Sequence, residues 1–301
     1  MFDIGVIKRL SREVGFDLCG VAQYRNLEED SLFLEEWIEK GFASSLEYLK
    51  RNIHRRGDAT ALVEGAKSVI VCAVSYKNAI SDGYSCNHQA KIASYACTID
   101  YHTTIKQMLF ELSKRLKEIN PNFSARCFVD SAPIFEKRYA VEAGLGWIGR
   151  QSLLITPEYG SFVLLGEIVM TAECNEYDSP LESVGCGECH RCVEACPNNA
   201  VKERHIDTSR CISCATIERQ EDGKQCDLNG WIFGCDECQS VCPYNRKAST
   251  FTDSRFAPLF NPAEMTPEDW LALSEEDFSK KFGTTPLERA GIERLKDNLS
   301  N

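Results

Sequence analysis

The chain has 301 residues, a formal net charge of −11 at pH 7, 43% hydrophobic residues and 26% charged residues. This balance is typical of a globular protein, and the acidic excess argues against a surface that binds nucleic acid throughout, although a local basic patch can still do so. No apolar run approaches the roughly 18 residues of a membrane span, and the start lacks the features of a signal peptide. We therefore expect a cytoplasmic protein with no membrane partner.

The first 175 residues mix helix and strand patterns. Apolar spacing predicts single helices over 4–14, 101–120 and 133–144, and one or two helices over 31–52. Runs rich in β-branched and apolar residues predict strands over 68–76 and 125–130, and two strands around a turn over 152–170. This mixture indicates an α/β or α+β fold.

Cysteine, glycine and proline dominate 186–246, and two helices are predicted to close the chain over 267–282 and 285–299. We therefore divide the chain into a catalytic domain, a small metal-rich domain and a helical segment that packs on the core. The boundaries are 1–175, 176–250 and 251–301.

Sixteen cysteines are a high count for this length. In a chain with no signal peptide they indicate metal ligands or redox groups rather than disulfides. Residues 186–197 read C-x2-C-x2-C-x3-C-P, the bacterial ferredoxin pattern for a [4Fe–4S] cluster. A pair of zinc sites is the alternative, because paired cysteines also bind Zn²⁺, but the four-cysteine run is the more specific pattern.

The fourth cysteine of such a run binds a different cluster from the first three, so a second cysteine set is needed. The stretch CDECQSVCPYN supplies it. One cluster is then expected on Cys186, Cys189, Cys192 and Cys242. The other is expected on Cys196, Cys235, Cys238 and an upstream cysteine, either Cys211 or Cys214. Two such clusters pass electrons one at a time.

The cysteines outside these two sets are expected mostly in the core, where a free cysteine behaves as a small apolar residue. They are Cys19, Cys72, Cys86, Cys97, Cys127, Cys174, Cys214 and Cys226.

Two features of 130–149 bear on chemistry. GLGWIG, at 144–149, has the letters of a dinucleotide fingerprint, but a helix pattern precedes it and a strand pattern follows, which is the reverse of the required context. Its glycines are better explained by a close approach of the backbone to another group. Asp130 ends an apolar strand and precedes a helix, a position that suits a functional acid and equally a helix N-cap.

Several stretches together resemble the epoxyqueuosine reductase family. They are VDSAPIFEKRYAVEAGLGWIGRQSLLI, CGECHRCVEACP, RCISCATIE, WIFGCDECQSVCPYNR and TPLERAGIERL, supported by EYLKRNIHRR, GAKSVIVCAVSY and SYACTIDYH. The similarity runs in order from about residue 5 to the C-terminus. The cluster motifs alone fit many ferredoxin-like proteins, whereas their combination with FVD and GLGWIG is much more specific.

The resemblance implies a cobalamin-binding domain related to that of reductive dehalogenases, followed by a ferredoxin-like domain with two [4Fe–4S] clusters. It implies the reduction of epoxyqueuosine to queuosine at the wobble position of tRNA, the last step of queuosine biosynthesis. It also implies Cys211 rather than Cys214 as a cluster ligand, and Asp130 as the proton donor. The chain departs from the family at Thr98, where glycine is common, and at Arg150–Gln151, where Lys-Asn is frequent.

Cobalamin would supply the two-electron chemistry, and the protein would orient the substrate and protonate it. Asp130 must then hold a proton, so we expect burial to raise its pKa. The sequence contains no D-x-H-x-x-G motif, so no histidine from that motif would bind the cobalt. The candidate cobalamin contacts are Arg56, Cys97, Asp130, Gln151 and Ser152. A solvated Arg56 and a Cys97 that serves only for packing are the alternatives.

The implied partner is a tRNA anticodon stem-loop carrying epoxyqueuosine, together with an unidentified electron donor, and we expect a monomer. Basic residues that could contact the RNA are Lys50, Arg51, His54, Arg55, Arg56, Lys202, Arg204, His205, Arg210, Arg289, Arg294 and Lys296. Two other interpretations stay open: a cobalamin and iron–sulfur reductase of another substrate, such as a dehalogenase, and an electron-transfer protein with no chemistry of its own. Bound cobalamin would exclude the latter, and dependence on tRNA would exclude the former.

Overall fold

The structure, a computed structural model, describes residues 1–85, 88–218 and 226–300, so Cys86 lies outside the described residues. The strands are β1 (Leu18–Gln23), β2 (Ser68–Ser75), β3 (Lys91–Ile92), β4 (Ala125–Phe128), β5 (Trp147–Ile148), β6 (Leu154–Ile155), β7 (Val163–Met170), β8 (Val201–Lys202), β9 (His205–Ile206) and β10 (Trp231–Phe233). The helices of the first part are α1 (Ile4–Val14), α2 (Glu28–Glu39), α3 (Glu47–Lys50), α4 (Ile53–Gly57), α5 (Tyr101–Ile119) and α6 (Glu136–Glu142). The later helices are α7 (Arg191–Glu194), α8 (Ile212–Ile217), α9 (Glu237–Ser240), α10 (Pro243–Arg246), α11 (Pro267–Ala272), α12 (Glu275–Phe282) and α13 (Gly291–Leu299).

A four-stranded sheet in the order β1-β2-β7-β4 forms the centre of the molecule, and every neighbouring pair is antiparallel. All eight residues of β2 are buried, which explains why its sequence is a continuous apolar run rather than an alternating one. Helices α1 and α5 cover one face, where Ile7, Ile70 and Leu109 share a core. Helix α6 covers the other face through Tyr139 and neighbouring residues. The mixed helix and strand class predicted from the sequence is confirmed.

A close approach between α5 and the sheet depends on Gly166 in β7. A Cβ atom at this position would lie 2.6 Å from Ile105 Cγ2 and 2.9 Å from Leu109 Cδ1. Only glycine lets the helix pack directly on the strand here.

Several local predictions need correction. The two strands predicted within 152–170 do not pair with each other, because β6 pairs with β5 whereas β7 pairs with β2 and β4. The helix predicted over 133–144 begins only at Glu136, after an irregular loop. The single helix predicted over 267–282 is two helices, because Ser274 caps the N-terminus of α12. Strand β1 was not predicted.

The metal-rich part of the chain is tied to the first part by a short strand pair. β10 pairs in parallel with β3, and Lys91 Nζ donates to Asn229 O at 2.9 Å. Trp270, Phe278 and Leu295 of the C-terminal helices pack on these strands in one apolar cluster. The division at 175 and 250 stays a prediction, and contacts such as these cross it. Within the described ranges no helix is both long and apolar enough to cross a membrane.

Candidate active site

An open cavity of ≈ 600 Å³ lies between the sheet domain and the cysteine-rich part of the chain. Three of the predicted cofactor contacts line it, namely Asp130, Arg56 and Ser152, together with the predicted cluster ligand Cys211. Tyr48 and Cys214 line it as well, so residues far apart in sequence converge on one space. We refer to this space as the substrate cavity.

Asp130 sits at the tip of the loop that follows β4, with a φ of 53°, in the left-handed region that a non-glycine residue rarely adopts. Its backbone N–H donates to Glu136 Oε1 at 2.5 Å, which holds the loop against the start of α6. Its Oδ2 lies 2.9 Å from His102 Nε2, and its side chain is 47% exposed. The loop therefore presents the carboxyl to the cavity while His102 holds it from the side.

The expectation that Asp130 has a raised pKa is wrong for this arrangement. The hydrogen bond from His102 lowers the pKa of Asp130, and this effect outweighs burial, which would raise it. The same hydrogen bond raises the pKa of His102, and Asp100 adds to this through a contact of 2.8 Å with His102 Nδ1. The hydrogen bond therefore favours a proton on His102 and an ionised Asp130.

Two further carboxyl groups lie behind Asp130. Glu136 also lines the cavity, and desolvation, followed by the charge of Asp130, raises its pKa to about 7. Glu167, in β7, is fully buried, and neither of its side-chain oxygens has a hydrogen-bond partner within the described residues. Burial and the neighbouring Glu136 raise the pKa of Glu167 well above its usual value. Burial therefore favours the neutral carboxylic acid form of Glu167 beneath the site.

Arg56 has the features of a group that binds a ligand. Its Nη2 donates to Tyr48 O at 3.2 Å, whereas its Nε is buried with no hydrogen-bond partner in the described chain. Ser152, with a φ of 60°, accepts a hydrogen bond of 2.6 Å from Lys137 Nζ through its backbone oxygen. Both residues face the substrate cavity. An orphaned guanidinium N–H at a cavity wall fits an amide or phosphate of a large cofactor.

The two other predicted cofactor contacts do not line the substrate cavity. Cys97 is fully buried in the apolar cluster with Phe233 and Trp270, and its thiol lies 3.7 Å from Ala93 O. Burial raises the pKa of Cys97 well above its usual value, so the thiol is neutral. Gln151 lines the pockets described next. Their roles as cobalamin contacts stay predictions.

The two predicted cysteine sets each converge on one pocket. A small pocket, which we call the outer pocket, is lined by Cys186, Cys189, Cys192 and Cys242. A second pocket of ≈ 350 Å³, which we call the inner pocket, is lined by Cys196, Cys211, Cys235 and Cys238. Among the described residues, no three or more His, Cys, Asp or Glu side chains lie close enough together to bind a single metal ion. A [4Fe–4S] cluster has a different requirement, because each of its four thiolates binds a separate iron atom. The donor sets therefore fit two clusters.

The three spaces form a series. Gln151 lines both the outer and the inner pocket, whereas Cys211 and Ser213 line both the inner pocket and the substrate cavity. Cys214 lines the substrate cavity and not the inner pocket, which supports Cys211 as the ligand. Cys226 was expected in the core but lies near the inner set. Burial raises its pKa most, and the nearby thiols Cys211 and Cys196 raise it further.

The context predicted for GLGWIG, with a helix before it and a strand after it, is confirmed. Helix α6 precedes it, Gly144 has a φ of 71°, and the short strands β5 and β6 follow. Sequence reasoning missed His102, Glu136 and Glu167. Only Glu167 left a signal, as a lone carboxylate inside the apolar run SFVLLGEIVM.

Comparison with known proteins gives one consistent answer. Residues 56–131 match the family model described as epoxyqueuosine reductase QueG, DUF1730, and residues 185–245 match a 4Fe-4S double cluster binding domain. An epoxyqueuosine reductase of Cyclobacterium marinum is 39% identical over 98% of this chain and 94% of its own length. That of Pseudomonas aeruginosa is 34% identical over 98% of this chain and 83% of its own.

Solved structures share the fold. Epoxyqueuosine reductase from Streptococcus thermophilus superposes with a TM-score of 0.84 at 27% identity, covering 98% of this chain and 79% of that one. An epoxyqueuosine reductase solved with an epoxyqueuosine-modified tRNA-Tyr stem loop superposes with a TM-score of 0.87 at 24% identity, covering 98% and 79%. The full-length similarity, with a double-cluster domain at the matching place, shows that this chain belongs to the epoxyqueuosine reductase family.

Proposed function

We propose that this protein reduces the epoxide of epoxyqueuosine to the alkene of queuosine at the wobble position of tRNA. The observation that carries the proposal is the series of spaces that ends at Asp130, with two four-cysteine pockets leading into one substrate cavity. The reaction consumes two electrons and two protons and releases the epoxide oxygen as water. A site for it needs a one-electron supply and an acid at the same cavity.

The clusters would supply the electrons in a fixed order. The outer pocket shares Gln151 with the inner pocket, and the inner pocket shares Cys211 and Ser213 with the substrate cavity. An electron would therefore pass from the outer cluster to the inner cluster and then to the cavity. The donor that fills the outer cluster is unidentified.

Residues of the substrate cavity would hold cobalamin, which would supply a reduced cobalt as the strong nucleophile for reduction of the strained epoxide. The residues that would hold it are Arg56, whose orphaned Nε faces the wall, and Ser152 at the foot of the cavity. Gln151, which lines the inner pocket, and Cys97, in the apolar core, remain proposed contacts of cobalamin.

The protein's own residues would manage the protons. His102 holds a proton 2.9 Å from Asp130 Oδ2, and Asp130 reaches the cavity from a strained loop tip. A proton passing from His102 through Asp130 to the opening epoxide leaves Asp130 ionised again. Asp130 is thus the proposed proton donor, and His102 is the group that recharges it.

Part of the predicted basic surface borders the cavity. Arg56, Arg204 and His205 line it, and α3 and α4 carry exposed cations nearby. Arg294 instead donates to Ala215 O and Glu218 O at 2.7 and 2.8 Å, so it stabilises α8 rather than facing RNA. We propose that the anticodon stem-loop approaches over the side carrying α3, α4 and Arg204. We also propose that the protein acts as a monomer in the cytoplasm.

An anaerobic turnover assay tests the proposal. Protein with both clusters reconstituted receives cobalamin, a chemical reductant and tRNA carrying epoxyqueuosine, and the digested nucleosides are analysed. Queuosine that forms only with cobalamin present establishes the reaction and its cofactor together. If no queuosine forms on protein with verified clusters and cobalamin, the proposed substrate is wrong, and a reductase of another compound takes its place.

A further inference from the structure

The turn that carries the GLGWIG letters lies against the outer cluster set. Arg150 Nε donates to Cys189 O at 3.0 Å, and its Nη2 donates to Gly187 O at 2.8 Å, which fixes the backbone between the first two cysteines. Trp147 packs with Cys242 and Cys186 in one small apolar cluster. The turn is therefore a wall of the outer pocket.

Gln151 follows directly, and its side chain closes that wall. The residue is 3% exposed, and it lines the outer pocket with all four cysteines of the set. A Cβ atom on Gly149 would lie 2.6 Å from Gln151 Oε1, so the amide oxygen is turned back toward the turn. The amide Nε2 is buried and has no hydrogen-bond partner within the described residues.

An amide nitrogen carries two N–H donors, and a buried donor is normally paired. The described part of the chain offers Gln151 Nε2 no acceptor. The sulfurs of a cluster in the outer pocket are acceptors, and they carry more negative charge after reduction. A hydrogen bond to them therefore stabilises the reduced state more than the oxidised state.

We propose that Gln151 donates an N–H to the outer cluster and raises its reduction potential. Because Gln151 also lines the inner pocket, this donor stands on the route between the two clusters. The proposal rests on the placement of the clusters in the proposed function and on nothing assumed about cobalamin or tRNA. It assigns a role to a residue of the glycine-rich turn that a dinucleotide site would not explain.

The test is a redox titration, followed by electron paramagnetic resonance, of the full chain with both clusters and without cobalamin or tRNA. Gln151→Met keeps the length of the side chain and removes the donor. We expect one cluster to become at least tenfold harder to reduce, which is a potential lower by about 59 mV for one electron. An unchanged or higher potential overturns the proposal, whatever the result of the turnover assay.

Tyr244→Phe is the matched control. Tyr244 lines the same pocket, but its hydroxyl already donates to Gly185 O at 3.0 Å. We expect no shift of the cluster potential in this variant. A shift equal to that of Gln151→Met overturns the proposal, because any change in the lining of the outer pocket would then shift the potential.

Gln151→Glu, of the same shape, serves if the methionine variant does not hold its clusters. It replaces the donor with an acceptor, and we expect an even lower potential. Loss of the outer cluster in both variants, with an unchanged circular dichroism spectrum, would show a role in cluster retention and would overturn the tuning role.

Discussion

At the scale of single residues, the proposed delivery of the proton depends on the contact between Asp130 Oδ2 and His102 Nε2. A carboxyl with a lowered pKa is a poor acid by itself at neutral pH. In the proposed mechanism, His102 supplies the proton to Asp130. Its Nε2 lies 2.9 Å from Asp130 Oδ2, and its pKa is raised. The sequence led us to expect one buried acid, Asp130, to hold the proton. The proposed mechanism instead uses two side chains, Asp130 and His102.

Asp130→Asn removes the group that delivers the proton. We expect turnover of epoxyqueuosine tRNA to fall by about 10²–10⁴-fold, the usual contribution of a positioned acid, with both clusters retained. Single-turnover assays measure this. Asp82→Asn, at an exposed position, is the control and should turn over normally. An Asp130→Asn protein with full turnover would remove Asp130 from the mechanism.

The pair also sets a pH dependence. His102 has a pKa raised above 6.5, so its proton persists to higher pH than on an ordinary histidine and is lost as the pH rises through that raised value. We expect the single-turnover rate to fall on the alkaline side of pH 6.5. In His102→Gln the neighbouring carboxyl groups of Asp130 and Glu136 must carry the proton, so the fall should no longer follow the titration of a histidine. Identical profiles for the two proteins would contradict this.

At the scale of secondary structure elements, β7 carries a buried acid. Glu167 has a raised pKa, so the folded protein binds more protons than the unfolded chain above pH 4.5, and stability falls as the pH rises. Glu167→Gln removes this dependence. As the pH rises, we expect the free energy of unfolding of the variant to increase relative to that of the wild type by up to about 1.4 kcal/mol per pH unit. Anaerobic urea unfolding at several pH values measures this. A constant difference would show that Glu167 is already ionised.

The C-terminal helices test another contact. Trp270 is fully buried and stacks on Phe282 with ring centroids 5.1 Å apart. Trp270→Ala should cost about 3–5 kcal/mol of unfolding free energy and loosen the support of β10. Leu271, next in the chain, is 49% exposed, and Leu271→Ala should change stability by less than about 0.5 kcal/mol. Equal losses would show that α11 does not pack as described.

The sequence predicted these elements unevenly, and the reasons are physical. The cysteine sets were predicted because cluster ligation imposes a fixed local spacing on the chain. Strand β2 and helix α5 were predicted because each buries a strongly periodic or continuous apolar run. His102 was missed because it acts only through a neighbour 28 positions away, a relation that tertiary packing alone creates.

At the scale of the whole molecule, an acidic protein must hold an acidic RNA. Arg204 and Arg56 line the cavity, and Arg55 lies beside Arg56 on α4, in a chain whose net charge is −11. Arg55→Ala should weaken tRNA binding similarly for all sequences and reduce the salt dependence by about one counterion. Binding isotherms at several salt concentrations measure this, with exposed Lys114→Ala on α5 as the control. Equal slopes would place the RNA elsewhere.

The pairing of β3 with β10 has a consequence for how the protein is made. Its partners are far apart in the chain: Lys91 and Asn229, which meet there, are separated by 138 positions. A ribosome adding about 5–20 residues per second needs roughly 7–28 s to cover that distance. During this interval the emerging chain has no partner for β3, and the cysteines of both sets are incomplete. Delivery of iron and sulfide to a complete set therefore has to wait until Cys238 of one set and Cys242 of the other have been made.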